Sequence, residues 1–284
     1  MSINSEVLNS KVRRLSALLV LLVALNIFTI IFVFVIGKSG LHFELARQFF
    51  GNSNRELIMS WHNFFEYIEG AAGCTNLKIF GGQLYRNTNM IDGNKAVCLD
   101  ENIAPTPGAC TVLSFGINNE WSFDDAMEEY GCKVFAFDPT MQQPAHTRGR
   151  DIHFQPWGLG GITGIKNKIP VLTYRDILKK IRKEDSIIDY LKIDIEGFEL
   201  DFFENVLDED VELLANIKQI GMEIHPGRSV AFRNKIWSQI RQLRSLNFSQ
   251  TYSQPNLIPP NAYKFENKTV SNCYEILWCN ENFR

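Results

Sequence analysis

Residues 111–138 constrain the chain more than any other stretch. The run TVLSF is short, apolar and begins with β-branched residues, the pattern of a buried strand. Gly116 follows directly, where a chain leaving such a strand must turn sharply. Ser122, with Asp125 after it, reads as a helix start, and Gly131 as the glycine that ends that helix. KVFAF then runs apolar to Asp138, and Pro139 stops it. A carboxylate roughly 20 residues past a glycine turn, at the end of a second strand, is the layout of a nucleoside-binding βαβ unit. The acid is placed there to accept hydrogen bonds from ribose hydroxyls.

Charge narrows the choice of nucleoside. A pyrophosphate site needs several glycines so that backbone amides and a helix N-terminus can approach the phosphates. Here Gly116 is followed by Ile117, Asn118 and Asn119, and the helix start carries Glu120, Asp124 and Asp125. Negative charge at that point repels phosphate and suits a ligand with an ammonium and a sulfonium, such as S-adenosylmethionine. The plainer reading is an ordinary βαβ unit whose acids complement the helix dipole.

The rest of the chain repeats the arrangement. Residues 152–157 read as a third strand and residues 171–183 as an amphipathic helix. SIIDYLKIDIEG is a buried strand, interrupted by Asp189 and Lys192, that ends in Asp194, Glu196 and Gly197. A helix follows in FELDFFENVL, then a strand over residues 217–227 ending in Glu223, His225, Pro226 and Gly227. In an open α/β sheet, ligands bind outside the carboxyl ends of the strands. Asp138, Asp194 with Glu196, and Glu223 with His225 are therefore expected at one edge. His146 and His153 are further candidates, although a lone histidine in such a run is more often structural. A last helix over residues 231–247 precedes two late strands, NFSQTYS and CYEILWCN. The expected fold class is α/β, a Rossmann-like sheet that is mostly parallel with its last strand antiparallel.

Residues 15–36 carry no charged side chain. A helix of that length reaches ~33 Å, enough to cross a bilayer core. Lys11, Arg13 and Arg14 precede it, a modest bias toward a cytoplasmic N-terminus. A cleaved signal peptide is the rival reading. The expected organisation is a cytoplasmic tail over residues 1–14, a transmembrane anchor over 15–36, and a stem helix region over 37–73. A cysteine-containing lead-in over 74–110, with Asp92-Gly93 as a tight turn between short strands, precedes the catalytic domain over 111–284. Asn247 and Asn267 begin glycosylation sequons. All six cysteines follow the anchor, which allows disulfides in an oxidising compartment and leaves their pairing open. The plainest reading of Cys132 is a free core thiol, while Cys273 and Cys279 fall on one face of a strand. The net charge of −3 and the lack of a basic stripe give no reason to expect nucleic acid.

Taken together, TVLSFGINNEWSFDDAM, KVFAFDPT, YLKIDIEGFEL and MEIHP resemble class I S-adenosylmethionine-dependent methyltransferases of the FkbM-like kind. They are most similar to the membrane-anchored animal methyltransferase-like subgroup. The resemblance covers about residues 74–280. It implies a glycine-loop role beside the cofactor for Gly116, Ile117 and Asn118. It implies a ribose-binding role for Asp138 and a position next to the reacting methyl for Asp194. Glu120, from the acidic helix start, completes the cofactor-binding candidates. The loop reads G-I-N-N-E where the family pattern carries several small residues.

The expected activity is O-methylation of a hydroxyl on a glycan or other small acceptor. The expected location is the secretory-pathway lumen (Golgi or ER), as a single-pass type II membrane protein. A hydroxyl acceptor needs a general base, and the candidates are Asp194, His225 and Glu223. No metal site is expected, although Asp194, Glu196 and Glu223 offer the hard oxygen ligands that Mg²⁺ takes. Two alternatives stand beside this reading. One is a catalytically inactive fold acting as a membrane-anchored binding glycoprotein. The other is a lumenal glycosyltransferase, to whose metal motif Asp194-Ile195-Glu196 is a loose match.

Overall fold

The computed structural model describes residues 60–84, 91–166, 168–227 and 229–284. The expected tail, anchor and most of the stem lie outside the described residues. Among the described residues no helix is long and apolar enough to cross a membrane.

The described chain opens with helix α1 (Trp61–Glu69), capped by Ser60 Oγ, which accepts from the Asn63 amide at 3.1 Å. Phe64, Phe65 and Ile68 make its buried face. The lead-in follows as β1 (Leu77–Phe80), β2 (Gln83–Leu84), β3 (Ile91–Asp92) and β4 (Lys95–Cys98). β1 pairs with β4 and β2 with β3, both antiparallel. Asp92-Gly93 does turn between two short strands, but those strands pair with different partners.

The central unit is β5 (Thr111–Phe115), α2 (Ser122–Tyr130) and β6 (Lys133–Phe137), as the sequence predicts. β7 (His146–Arg148) and β8 (Ile152–Gln155) extend the sheet, so the third strand stops short of Trp157. β9 (Gly158–Leu159), β10 (Gly164–Lys166) and β11 (Ile169–Leu172) form a small separate sheet. That pairing consumes residues 169–172, so the next helix, α3 (Tyr174–Ile181), starts later than its periodicity suggests, capped by Thr173. Then come β12 (Tyr190–Ile193), α4 (Glu199–Asp208), β13 (Gln219–Ile224), α5 (Val230–Ser245) and β14 (Phe248–Pro255). A hairpin of β15 (Ala262–Phe265) and β16 (Lys268–Ser271) interrupts the Pro/Asn-rich stretch before β17 (Tyr274–Asn280).

The main sheet runs β14-β17-β13-β12-β5-β6-β8-β7. β8, β6, β5, β12 and β13 are parallel, and β17 runs antiparallel to both its neighbours. The chain winds outward in opposite directions from β5 and β12, so the crevice between their carboxyl ends is the topological switch point. Strand alternation divides the core between the two faces. Leu113, Phe115, Leu191 and Ile193 pack with α3 and α4 in one cluster, while Val112, Val134, Phe154 and Tyr190 pack with α2 and the lead-in in the other. Each fully buried side chain of this size contributes about 1.5–3 kcal/mol.

The lead-in is locked to the sheet by buried polar groups. Gln219 accepts from the Cys98 amide at 2.8 Å and donates to the carbonyls of Cys98 and Ile103 at 2.8 and 3.1 Å. Tyr190 donates to the Ala96 carbonyl at 2.9 Å. Gly221 leaves space for that phenol, since a Cβ there would lie 1.8 Å from the hydroxyl.

One sequence expectation about the cysteines is corrected here. Cys132 is not a free thiol: it pairs with Cys110, joining the residues that enter β5 and β6, and Cys74 pairs with Cys98. Closing loops of this length contributes about 3 kcal/mol each in the chain-entropy view. Cys273 and Cys279 are the buried free thiols. α2 does begin at Ser122, as expected, although its N-cap is Trp121 without a side-chain bond; the Ser122 side chain serves elsewhere. Its hydroxyl accepts from the Gly82 amide at 2.6 Å, Asp125 is bonded to Arg148, and Glu120 takes the capping task by accepting from the Ser122 amide at 2.8 Å. Gly131 does end the helix in the left-handed conformation, with φ 110°.

Candidate active site

A cavity of about 510 Å³ opens at the carboxyl ends of β5, β6, β12 and β13. Gly116, Ile117, Asn118, Glu120, Asp138, Asp194, Glu196, Glu223 and His225 all line it. The structure thus brings together every site residue named from the sequence except the two spare histidines. His146 packs beside Trp121 and Phe154, and His153 beside Phe135. Neither lines the cavity.

At one end the cavity is built around the turn after β5. Gly116 has φ 80°, and a Cβ there would lie 1.5 Å from the Asp194 carbonyl oxygen. No other residue fits, because β5 and β12 meet at that point. Asn118 and Asn119 also have positive φ, 45° and 61°. Asparagine is among the few side chains that tolerate this region. The two asparagines therefore take the backbone role that further glycines fill in a glycine-rich loop. Asp138 fastens the turn. Its Oδ2 accepts from the amides of Ile117 and Asn118 at 2.9 and 2.7 Å, and its Oδ1 from the Thr140 amide and hydroxyl at 2.7 and 2.6 Å. These bonds fill the carboxylate's acceptor sites. A ribose would have to displace one of them, and the Thr140 hydroxyl can rotate away most easily. Ile117 contributes only backbone, since its side chain is buried in the core. Phe137, stacked on Trp157, and Val171 add an apolar wall.

At the other end the chemistry is ionic. Lys95, 2% exposed, places its ammonium 3.0 Å from Asp194 Oδ2 and 2.6 Å from Glu275 Oε1. Lys192 lies 3.8 Å from Asp194 Oδ2 and donates to the carbonyls of Gly116 and Phe115 at 2.6 and 3.2 Å. Burial alone would raise the Asp194 carboxyl, but Lys95, Lys192 and a hydrogen bond from Glu223 hold it well below the usual carboxylate range. Glu223 is the reverse case. Burial first, then the charges of Asp194 and Glu275, push it up to about 9, so it carries a proton at neutral pH. Cys273 Sγ donates to Glu223 Oε1 at 2.6 Å, and burial with that neighbouring acid keeps the thiol protonated. His225 Nε2 lies 3.5 Å from Glu223 Oε2. Its Nδ1 is buried without a hydrogen-bond partner among the described residues.

Lys95 and Glu275 escaped the sequence reading. Each is a lone charge in an otherwise buried strand, and such a charge needs a partner. That need was the available signal, but the partners lie too far along the chain to be named from it.

The residues fit one expected ligand and not the other. Acids on the cavity wall outnumber Lys166 and Lys192, the volume lies in the usual ligand range of ~300–1,000 Å³, and the turn leaves no phosphate-binding run of amides. Those features suit S-adenosylmethionine. Asp194, Glu196 and Glu223 do bring ligand atoms within 4.8 Å of one another. They do not suit a dication, because Lys95 already neutralises Asp194 and Glu223 holds its proton.

Comparison with known proteins agrees with this geometry. The probable methyltransferase-like protein 24 of Homo sapiens is 26% identical over 211 residues, covering 66% of this chain and 56% of its own length. The rat protein of the same description is 26% identical over 275 residues, covering 87% of this chain and 72% of its own. The chain thus spans little more than half of the human relative. A putative SAM-dependent methyltransferase from Streptococcus mutans superposes with a TM-score of 0.38 at 12% identity, over 63% of this chain and 47% of that one, too loosely to add weight. The profile of a family described as "Methyltransferase domain" matches residues 50–276. With residues 50–276 matched, most of its length, the chain belongs to the methyltransferase domain family, and its sheet order is that of a Rossmann-like methyltransferase fold.

Proposed function

We propose that the chain transfers the methyl group of S-adenosylmethionine to a hydroxyl on a glycan or other small acceptor in the lumen of the secretory pathway. The observation that carries this reading is the convergence, in one cavity, of the Gly116 turn, Asp138, an ionised Asp194 and His225. The bound cofactor supplies an electrophilic methyl; the chain's own residues position the partners and take the proton. Asp194 is too firmly ionised to act as a good base, and Glu223 already carries a proton. His225 is left as the cavity-lining group suited to accept the hydroxyl proton. Asp138 and the Gly116 turn hold the nucleoside, and Asp194 offers fixed negative charge to the cationic part of the ligand. Two disulfides support an oxidising compartment, as do sequon asparagines Asn247 and Asn267, both exposed.

The test is transfer of labelled methyl from S-adenosylmethionine to a panel of hydroxyl-bearing glycans. Wild type is expected to label at least one of them, and His225→Ala to lose about 10²–10⁴-fold in rate with cofactor affinity retained. Cofactor binding without transfer to any hydroxyl would sink the acceptor assignment. A second reading, an inactive binding fold, draws on the closed hydrogen bonding of Asp138. Calorimetry showing no affinity for S-adenosylmethionine or S-adenosylhomocysteine would favour it.

A further inference from the structure

Lys95 belongs to β4 of the lead-in, outside the nucleoside-binding sheet, yet its ammonium ends beneath the cavity. It is bonded to Asp194 at the end of β12 and to Glu275 on β17. Of those two acids, only Asp194 lines the cavity. The strand that carries Lys95 is fixed at its far end by the Cys74–Cys98 disulfide and by the Gln219 amide. Burying an ammonium costs several kcal/mol, and a well-packed apolar side chain would fill the same space without that cost. Packing therefore does not account for a lysine here. What the lysine does, and an apolar residue could not, is keep a carboxylate charged and in one place at the reacting end of the site.

We propose that Lys95 is a positioning residue of the active site, a fixed internal cation contributed by the lead-in that holds Asp194 ionised and oriented toward the cavity. The inference rests on reading the cavity as a cofactor-dependent methyl-transfer site. The groups that face Asp194 are Lys95 from β4, Lys192 from its own strand, Glu196 just beyond that strand, Glu199 at the start of α4, Glu223 from β13, and Glu275 from β17 through Lys95. Lys192 does not replace Lys95. It stands farther away and its ammonium is engaged by the Gly116 and Phe115 carbonyls. Without Lys95, Asp194 would be left with Lys192 as its nearest cation and would take up a proton more readily.

The experiment measures the affinity of the full chain for S-adenosylmethionine and S-adenosylhomocysteine by calorimetry, from about pH 8 down to about pH 5.5. Wild type is compared with Lys95→Met, with the charge-balanced pair Lys95→Met/Glu275→Gln, and with Asp194→Asn. Both Lys95 variants are expected to bind about tenfold more weakly than wild type at pH 8, equivalent to ~1.4 kcal/mol. The ratio of wild-type to variant affinity should grow as pH falls. For Asp194→Asn the ratio should stay constant across pH, and adding that substitution to the charge-balanced pair should weaken binding less at about pH 5.5 than at about pH 8. Wild-type affinity in the charge-balanced pair, or a ratio that does not change with pH, would overturn the proposal. So would failure of the charge-balanced pair to fold, because packing rather than charge placement would then be the role of Lys95. If wild type binds neither ligand, the methyl-transfer reading itself fails and the inference falls with it, an outcome distinct from the others.

Discussion

The two ends of the cavity satisfy buried carboxylates in opposite ways. Asp138 is held by neutral donors, the amides of Ile117, Asn118 and Thr140 and one hydroxyl, all within about 20 residues of it in sequence. Asp194 is held by charge, from a lysine 99 residues away that is shared with Glu275, itself 180 residues from the lysine. The first arrangement is short-range, depends on backbone shape and has no partner that titrates near neutral pH. The second is long-range and depends on which side chains hold protons. A site built this way separates its tasks. One end fixes the geometry of the ligand, and the other fixes the charge it meets.

The two ends meet at Gly116, so the severest break is there. Gly116→Ala puts a Cβ into the Asp194 carbonyl at a positive φ and is expected to cost about 3 kcal/mol or more, read by denaturant unfolding. A loss below ~1 kcal/mol would mean that the ends are not rigidly joined. Next in size is Asp138→Ala. It leaves the Ile117 and Asn118 amides without their acceptor and is expected to cost about 2–3 kcal/mol, read by the same unfolding measurement. A loss below ~1 kcal/mol would show that the turn does not depend on that carboxylate.

The most discriminating test reads a change with pH rather than a fixed loss. Between the ordinary glutamate value of ~4.3 and about 9, folded Glu223 keeps a proton that the unfolded chain releases. Stability therefore falls as pH rises through that window. Glu223→Gln removes that fall. The variant should match wild type near pH 5 and gain on it steadily toward pH 9. An offset that is the same at every pH would place the proton elsewhere. Asp194 has the opposite sign: its contribution is complete above the unfolded aspartate value of ~3.9 and is lost as pH falls below it.

The sequence made legible whatever is local or periodic. TVLSF, Gly116, KVFAF and Asp138 specified the central βαβ unit, and the ends of β12 and β13 placed Asp194, Glu223 and His225 at its edge before any coordinate was known. What it hid was pairing across long separations. Cys132 read as a free thiol because nothing near it in the chain reveals Cys110 as its partner. Ser122 was legible as the start of α2, but not the use of its hydroxyl, which accepts from the Gly82 amide forty residues away. The thin glycine loop looked incomplete because asparagine can supply a left-handed turn without announcing it.

Gln219 carries a consequence for how the protein can be divided. Its amide gives and receives hydrogen bonds as a peptide group does, so the lead-in is joined to the sheet much as a neighbouring strand would be. A fragment beginning at residue 111 would carry the whole nucleoside-binding unit. It would also expose that amide, the Tyr190 hydroxyl and two acids without their lysine. The smallest piece able to fold on its own therefore begins no later than Cys74, and the segment before the first sheet strand is inherited or lost together with the site it supports.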